Sequence, residues 1–144
     1  AGITWGAEDL GAAIGAMSKA GVGSEWSQPF ELARSLCLFA AAAADVPAID
    51  TLFADFRNRE GLAASAARAR RDGYTGKLAI HPAQVETINA AFTPSAEEIE
   101  EAQAIIALFA DNPDAGALSY KGRMVDMPHL VQAKKITAIA QKSD

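Results

Sequence analysis

The order of apolar runs in the sequence predicts an α/β fold built on parallel strands. Short hydrophobic runs alternate with longer stretches of helical periodicity, in the order strand, helix, strand, helix, strand, helix. Such alternation is typical of βαβ units, whose strands lie parallel and whose crossovers are right-handed. Half of the 144 residues are hydrophobic, which is enough for one packed domain of ordinary size.

The first strand is predicted at Ile3 to Trp5, and it ends in a loop that runs from Gly6 to Asp9. A regular helix is not expected beyond Ala16. The reason is the density of glycine, which lowers helix propensity and often marks a break. The glycines of this stretch are Gly11, Gly15, Gly21 and Gly23.

Two longer helices with a strand between them are predicted next. The first helix covers Pro29 to about Ala44, because proline favours a helix start and the later positions keep a helical apolar period. Ala48 to Phe53 is predicted as the second strand, and Arg59 to Arg71 as the next helix. Gly73 fits the position just after that helix. The side chains expected to face inward are Phe30, Ala33, Cys37, Ala40, Ala44, Leu62, Ala66 and Ala69.

Lys77 to Ile80 is predicted as the third strand, and a helix is expected to start at Pro82. Another helix begins after Ser95, because Ser95 and Glu98 form a capping box in which each side chain accepts the backbone N–H of the other. The positions expected to face inward in these two helices are Val85, Ile88, Phe92, Ile99, Ala102, Ile106 and Phe109.

The C-terminal region is predicted as a hairpin followed by a helix. The hairpin covers Ala117 to Val125 and turns at Lys121-Gly122. The helix runs from Asp126 to about Gln141 with Pro128 in its first turn. Its inward face is expected to contain Leu130, Ala133, Ile136 and Ala140.

Composition argues against several classes of partner. A net charge of −5 and a pI near 5.0 speak against a nucleic-acid surface, and the short run at Arg68, Arg70 and Arg71 favours a solvated helix face over a phosphate site. The apolar run from Leu36 to Ala44 is too short to cross a membrane. Cys37 is the single cysteine and is expected to be a buried small hydrophobe. With no secretory leader visible, a reducing, cytoplasmic location is expected.

Three parallel strands with helices on one face would leave the other face of the sheet bare, whereas parallel sheets are normally covered on both faces. The sequence also opens at Ala1 without an initiator methionine and directly in a strand-like run. We therefore expect the chain to be one part of a larger fold.

Three motifs carry a family resemblance. They are Trp5-Gly6-Ala7-Glu8-Asp9-Leu10, Gly76-Lys77-Leu78-Ala79-Ile80-His81-Pro82-Ala83-Gln84, and Gly122-Arg123-Met124-Val125-Asp126-Met127-Pro128-His129. Ala48-Ile49-Asp50 and Ala91-Phe92-Thr93-Pro94-Ser95 match the same family. Together they resemble the citrate lyase β-subunit (HpcH/HpaI aldolase) family over nearly the whole chain.

The resemblance implies a (β/α)8 barrel of the TIM type, which has about 250 residues. On that template the chain supplies the last three strand–helix units, in residues 1 to about 92, and a C-terminal extension in residues 93 to 144. The whole chain is then the C-terminal part of a single barrel domain. The first five strands are not in this sequence, and neither are the family's arginine for the substrate carboxylate or the glutamate that shares its metal.

The resemblance assigns Asp9 as a ligand of Mg²⁺, a hard cation that takes one or two carboxylates, waters and substrate oxygens. It also implies that the backbone N–H groups of Glu8 and Asp9 receive a carboxylate or keto oxygen of the substrate. The side chain of Glu8 is not expected to bind the metal. An alternative for Asp9 is a structural N-cap for a helix that begins near Leu10.

Asp126 is implied to be the catalytic acid/base at the acetyl-CoA carbon. In the CoA-thioester branch of the family the matching aspartate reaches the active site of a neighbouring subunit, so a homo-oligomer, a trimer or hexamer, is expected. A carboxylate can serve in this role when it is positioned over the reacting carbon. The alternative is an N-cap of the last helix, since Pro128 follows in the first turn.

Lys77, His81 and Pro82 are implied to contact CoA, at a helix start whose free N–H groups favour anions. A structural hydrogen bond at the strand end is an equal alternative for His81. His129 is expected to be a surface or interface residue. The two histidines lie far apart without a cysteine partner or ligand spacing, so no zinc site is predicted.

The implied function is a Mg²⁺-dependent carbon–carbon lyase, or the reverse condensation, that acts on a hydroxy-acyl thioester of CoA or of an acyl carrier protein. Citryl-, malyl- and citramalyl-CoA are examples, and the products are acetyl-CoA and an oxo-acid. One alternative is a pyruvate-type class II aldolase on free aldehydes. Another is an inactive piece or module that needs its missing N-terminal half.

Overall fold

The computed structural model describes residues 1–21 and 26–143, with side chains up to residue 141. Gly23, one of the glycines expected to interrupt the first helix, lies outside the described residues. The chain divides into two compact units, residues 1–92 and residues 93–144. Within the described ranges, no helix combines the length and the apolar character that a bilayer crossing requires.

The first unit contains a three-stranded parallel sheet with strand order β1-β2-β3. The strands are β1 (Ile3–Thr4), β2 (Ala48–Asp50) and β3 (Gly76–Lys77), and Asp50 of β2 pairs with Lys77 of β3. The predicted α/β class and the parallel direction are therefore confirmed. All three strands are shorter than the sequence predicts, because the chain leaves the ladder soon after Asp50 and Lys77 to form the following loops.

In the described part of residues 1–92 the helices are, in chain order, α1 (Ala7–Ile14), α2 (Gln28–Ala43), α3 (Arg59–Asp72) and α4 (Val85–Phe92). A 3-10 turn, Pro82–Gln84, precedes α4. Gly73 ends α3 in the left-handed region with φ of 110°, as predicted. Asn58 caps the start of α3 by accepting the N–H of Gly61 at 2.8 Å.

The core of the first unit lies between the sheet and α2. The inward face of α2 includes Phe30 and Cys37, as predicted, but Arg34 and Ala41 are buried in place of Ala40 and Ala44, which are exposed. A charged side chain can occupy this face because the Arg34 guanidinium has carboxylate partners and lies over the Tyr74 ring. The apolar period alone does not reveal this arrangement.

Cys37 is buried, as predicted. Burial raises the pKa of its thiol, against a smaller lowering effect of its hydrogen bond with Tyr74. A thiol that stays protonated is a poor nucleophile, so Cys37 is a packing residue.

The second unit contains α5 (Ala96–Ala110), the hairpin β4 (Ala117–Tyr120) with β5 (Arg123–Asp126), and α6 (Met127–Ser143). The capping box of Ser95 and Glu98 at the start of α5 is present, as predicted. The hairpin turns at Lys121 and Gly122, with φ of 47° and 79°, and two positive φ values are the signature of a type I′ turn.

The core of the second unit is entirely apolar, and Val125 of the hairpin is its most deeply enclosed member. One predicted position differs, because Ile105 and not Ile106 is buried in α5, while Ile106 packs at the border of the cluster. The buried members are Ala102, Ile105, Phe109, Val125, Leu130 and Ala133.

Candidate functional site

Three loops begin at one edge of the β1-β2-β3 sheet. Because the strands are parallel, their carboxyl ends meet at the same edge, which is where barrels and open α/β sheets place their binding groups. The loop after β1 leads to Glu8 and Asp9, the loop after β2 contains Phe56 and Arg57, and the loop after β3 contains His81. This edge is the candidate site of the first unit.

The loop after β1 is short, because α1 already begins at Ala7. The interpretation of Asp9 as N-cap of a helix near Leu10 is therefore wrong: Gly6 occupies the N-cap position, and the N–H of Leu10 donates to the Gly6 carbonyl at 2.9 Å. Glu8 and Asp9 lie in the first helical turn, where backbone N–H groups have no partner four residues earlier in the helix. Their amides are thus positioned to bind an anion.

The carboxylate of Asp9 is exposed and folds back over Gly6. A Cβ atom at Gly6 would lie only 2.7 Å from Asp9 Oδ2, so glycine provides the space for this side-chain position. Glu8, by contrast, forms an exposed ion pair with Lys19. The two neighbouring carboxylates therefore have different surroundings, and only the one of Asp9 turns back toward the end of β1.

Asp9 fits Mg²⁺ as one carboxylate ligand, because that ion combines one or two carboxylates with waters and substrate oxygens. Within residues 1–21 and 26–143 there is no group of three or more His, Cys, Asp or Glu side chains able to hold a metal ion. The described part of the chain therefore offers a partial ligand set centred on Asp9, not a complete cage.

A buried polar network lies directly beneath these loops, centred on Asp50 at the end of β2. Its Oδ1 accepts the indole N–H of Trp5 at 2.9 Å and lies 3.3 Å from Arg34 Nε, and its Oδ2 lies 3.0 Å from Lys77 Nζ. The next residue, Thr51, accepts the N–H of Ala7 through its hydroxyl at 3.4 Å. Through Trp5 and Ala7, the network fixes the two ends of the loop that leads to Asp9.

The prediction that Lys77 contacts CoA needs a correction. Its side chain is 1% exposed and its ammonium group is held by Asp50, so no surface remains for a ligand. Lys77 is the last residue of β3 and pairs with Asp50 in the sheet register, which brings the two charges together inside the unit. Lys77 therefore supports the loops at the sheet edge and does not bind a ligand.

His81 lies at the start of the turn that Pro82 opens, and its ring is exposed. The Nδ1 atom accepts the N–H of Ala83 at 3.1 Å, which is the structural hydrogen bond considered as an alternative. The same ring stacks on Phe56 with centroids 4.5 Å apart, so His81 has a structural bond and an exposed aromatic face at once. Pro82 is the first residue of the 3-10 turn.

A groove of about 430 Å³ opens beside His81. Two arginines border it: Arg57 lies 5.5 Å from the centre of the Phe56 ring, and Arg59 forms an exposed ion pair with Glu86 at 3.2 Å. Phe56, Arg57 and Arg59 are not among the site residues predicted from the sequence. The available signal was their position after the end of β2: Phe56 and Arg57 lie on the loop that adjoins the His81 loop, and Arg59 is the first residue of α3.

Buried Gln84 holds the His81 loop in place. Its Oε1 accepts the N–H of Ile80 at 2.8 Å, and its Nε2 donates to the carbonyl of Phe53 at 2.8 Å. Gln84 is fully buried, so these two bonds tie the loops after β2 and β3 to one another. The groove between them therefore has fixed walls.

Asp126 lies in the second unit, at the end of β5 and just before α6. Its position before the first helical residue agrees with the N-cap alternative. His129 is exposed, as predicted, and its Nδ1 also lies 2.5 Å from Asp126 Oδ1 and 3.2 Å from the Asp126 backbone nitrogen. The side chains of Asp126 and His129 are 35% and 50% exposed, so a reactant can reach both.

The sequence matches the model of a protein family described as C–C bond lyase of the TIM-barrel fold, over residues 30–142. Mitochondrial citramalyl-CoA lyase from Mus musculus is 36% identical over 140 residues, which are 96% of this chain and 40% of that protein. L-malyl-CoA/β-methylmalyl-CoA lyase from Rhodobacter capsulatus is 36% identical over 154 residues, which cover 96% of this chain and 48% of the relative.

Solved structures give the same result. The CitE protein of Mycobacterium tuberculosis, in complex with magnesium, acetoacetate and coenzyme A, matches with a TM-score of 0.83 and 33% identity over 96% of this chain and 51% of the other. A citrate lyase from Burkholderia xenovorans matches with a TM-score of 0.78 and 29% identity. The chain thus spans about half the length of these proteins, or less.

Proposed function

Since the chain belongs to the C–C bond lyase family of the TIM-barrel fold, we propose that it is part of a Mg²⁺-dependent carbon–carbon lyase that acts on a hydroxy-acyl-CoA thioester. Citryl-, malyl- or citramalyl-CoA would be cleaved to acetyl-CoA and an oxo-acid, or formed in the reverse condensation. The observation that carries the proposal is the sheet edge, where the exposed Asp9 carboxylate and the N–H groups of Glu8 and Asp9 lie together in the first turn of α1, directly after β1.

The oxo-acid end of the substrate fits the loop after β1. Asp9 would hold Mg²⁺, and the amides of Glu8 and Asp9 would bind a carboxylate or keto oxygen at the positive end of the helix dipole. When bound, the ion would act as a Lewis acid toward the oxygens of the oxo-acid. The CitE relative is known in complex with magnesium and acetoacetate, which supports the choice of this metal and of an oxo-acid as its ligand.

The CoA end fits the groove beside His81. A guanidinium group binds phosphate oxygens through a planar fork of donors, and the exposed rings of Phe56 and His81 offer flat surfaces to a nucleotide base. Arg57 and Arg59 therefore replace Lys77 as the cations proposed for the CoA phosphates. A pantetheine thioester carried by an acyl carrier protein would lack the adenosine nucleotide for which this groove is proposed.

Asp126 is proposed as the acid/base that exchanges a proton with the enolate carbon of the acetyl thioester. By the family resemblance it serves the site of a neighbouring copy, so a homotrimer or hexamer belongs to the proposal, as does a cytoplasmic location. It also follows that residues 1–144 alone are inactive, because the family's substrate arginine and second metal carboxylate are expected outside them.

Substitution of Asp9 tests the metal assignment in the protein at its natural full length. Asp9→Asn removes a charged ligand oxygen and is expected to lower kcat/KM at ordinary Mg²⁺ by about 100-fold or more. Glu60→Gln, at an exposed position in the first turn of α3, is the matched control and should leave kcat/KM unchanged. Wild-type activity of Asp9→Asn across a Mg²⁺ titration would contradict the assignment.

A substrate panel tests the thioester class. CoA thioesters of hydroxy-acids are expected to be cleaved, while the free hydroxy-acids and the pyruvate-type aldol products are not. Arg57→Ala should raise KM for the CoA thioesters by about tenfold, since a charge-assisted contact to phosphate contributes about 1.4 kcal/mol or more. Preference for free acids or aldehydes would favour the class II aldolase instead.

A further inference from the structure

His129 is the one histidine of the second unit, and it lies within reach of the candidate acid/base. It occupies the first turn of α6, three residues after Asp126, where side chains at i and i+3 are neighbours. Its Nδ1 lies 2.5 Å from Asp126 Oδ1. Both side chains are partly exposed, so the pair can meet a substrate without any rearrangement of the apolar core.

The distance between Nδ1 and Oδ1 requires a proton between them. An unprotonated imidazole nitrogen and a carboxylate oxygen are both acceptors, and they would repel each other at 2.5 Å. The same Nδ1 lies 3.2 Å from the Asp126 backbone nitrogen, but one nitrogen cannot donate to Oδ1 and accept from that N–H at once. With Asp126 accepting at Oδ1, the shorter contact requires the ring to carry its proton on Nδ1, and in a neutral imidazole this leaves Nε2 as the acceptor.

We propose that His129 is the positioning residue of Asp126: its Nδ1–H holds Oδ1 and leaves Oδ2 to exchange the proton with the thioester substrate. The step on the substrate rests on the proposed function, whereas the proton arrangement within the pair does not. A carboxyl group held at one oxygen has a defined direction for the other, and acid/base catalysis depends on such geometry before it depends on acidity.

In the cleavage direction, Asp126 carries the proton on Oδ2 and gives it to the enolate carbon, whose electron pair forms the new C–H bond of the acetyl group. The O–H bonding pair stays on Oδ2, and the Nδ1–H···Oδ1 bond becomes charge-assisted. In the condensation direction Oδ2 takes the methyl proton instead. His129 keeps its own proton throughout.

Three substitutions at His129 separate positioning from packing, in the protein at its natural full length. The readout is the exchange of acetyl-CoA methyl protons with solvent deuterium, which reports the proton transfer itself. His129→Ala should lower the exchange rate and kcat about tenfold with little change in KM. His129→Asn should recover most of the loss, because its amide nitrogen can occupy the place of Nδ1. His129→Gln, which places its amide nearer the Nε2 position, should not.

Lys135→Ala, on the exposed part of α6, is the control and should behave as wild type. Equal loss in the Ala and Asn variants would overturn the proposal, because it would indicate a role in packing. Full activity in all three His129 variants would overturn it as well, because the carboxyl group would then need no partner.

The tautomer is measured independently of catalysis by ¹⁵N NMR of histidine-labelled protein, with the His129 signal assigned by its loss in His129→Gln. Wild type should show the proton on Nδ1. Asp126→Ala should move it to Nε2, since Nδ1 can then accept the N–H of residue 126. A proton on Nε2 in the wild type overturns the inference even if the lyase is active. If the proton is on Nδ1 but the protein has no lyase activity, the proposed function is refuted, while the hydrogen bond from His129 to Asp126 is still confirmed.

Discussion

Residues 1–92 and residues 93–144 bury different kinds of side chain. The first unit encloses charged and polar groups, among them Arg34, Asp50, Lys77 and Gln84. In the second unit, the buried side chains within the described residues are all nonpolar, and its ion pairs, such as Arg123 with Glu101, lie at the surface. One unit therefore depends on satisfied internal charges and the other on apolar burial.

The difference follows the location of the loops that carry candidate ligand groups. In the first unit the buried charges of Asp50 and Lys77 lie at the strand ends from which two of these loops start, and Arg34 reaches Asp50 from α2. Each buried polar side-chain atom of the described residues has a partner. A buried ion pair adds little net stability over a hydrophobic pair of the same shape, because both charges lose their hydration. We interpret the Asp50 network as an arrangement that fixes loop geometry.

Asp50→Asn should have the largest effect on stability. It leaves the Lys77 ammonium group buried without its carboxylate, while Arg34 keeps Asp72 at 2.7 Å. Loss of one partner of a buried pair costs about 3–5 kcal/mol of the free energy of unfolding. Urea unfolding followed by fluorescence reports this unit directly, because both tryptophans, Trp5 and Trp26, belong to it.

Two comparison variants sharpen this result. Asp50→Asn combined with Lys77→Met should recover part of the loss, since no unpaired charge remains inside. Glu101→Gln, which breaks an exposed pair in the second unit, should cost no more than about 1 kcal/mol. If Asp50→Asn costs as little as Glu101→Gln, the contrast between the units is wrong.

Ser95→Ala should have an intermediate effect, confined to the second unit. It removes the side-chain oxygen that accepts the Glu98 N–H at 3.2 Å and breaks the capping box of α5. The expected loss is about 1 kcal/mol, measured as faster amide hydrogen exchange in the first turn of α5. Ser119→Ala makes the same chemical change at an exposed strand position and should leave exchange in α5 unaltered; equal rates in both variants would contradict the prediction.

A rise in pH should have the smallest effect on stability. The free energy of unfolding of the first unit should stay constant near neutral pH and fall only in the alkaline range. Burial raises the pKa of both Cys37 and Tyr74, so the folded state holds these protons more tightly than the unfolded chain does. This contribution to stability is complete below the ordinary thiol pKa of 9.0 and is lost as the pH rises above it.

The alkaline effect is measured by urea unfolding at a series of pH values from about 7 to 11, with tryptophan fluorescence as the probe. Cys37→Ala combined with Tyr74→Phe should flatten the decline. A decline of the same slope in the double variant would show that other groups cause it.

Much of the local structure could be predicted from the sequence because its causes are local. The capping box needs only Ser95 and Glu98 at the right spacing, and the hairpin needs only a turn that tolerates positive φ, which Gly122 provides. The parallel order followed from alternation along the chain. The position of Asp9 shortly after the carboxyl end of β1 followed from its motif.

The polar interior could not be predicted in the same way. Asp50 and Lys77 are 27 residues apart, and they meet because the sheet register pairs them. Arg34 interrupts the apolar period of α2, so the sequence predicts an exposed side chain. Its burial becomes understandable only when its partners from other elements are known. The contact of His129 with Asp126 was available from the i, i+3 spacing, but the sequence does not say which way the imidazole turns.

The sequence by itself determined the parallel α/β class, the capping box of α5, the glycine that ends α3, the turn of the hairpin and the motifs of the C–C bond lyase family, because each depends on a few residues close together in the chain. Only the tertiary structure decided that Lys77 is a buried partner of Asp50, that Phe56, Arg57 and His81 border one groove, and that His129 touches Asp126. These facts depend on strand register, burial and side-chain direction. Register and burial are settled when distant segments pack together, and the direction of the His129 ring is settled by its surroundings in the folded chain.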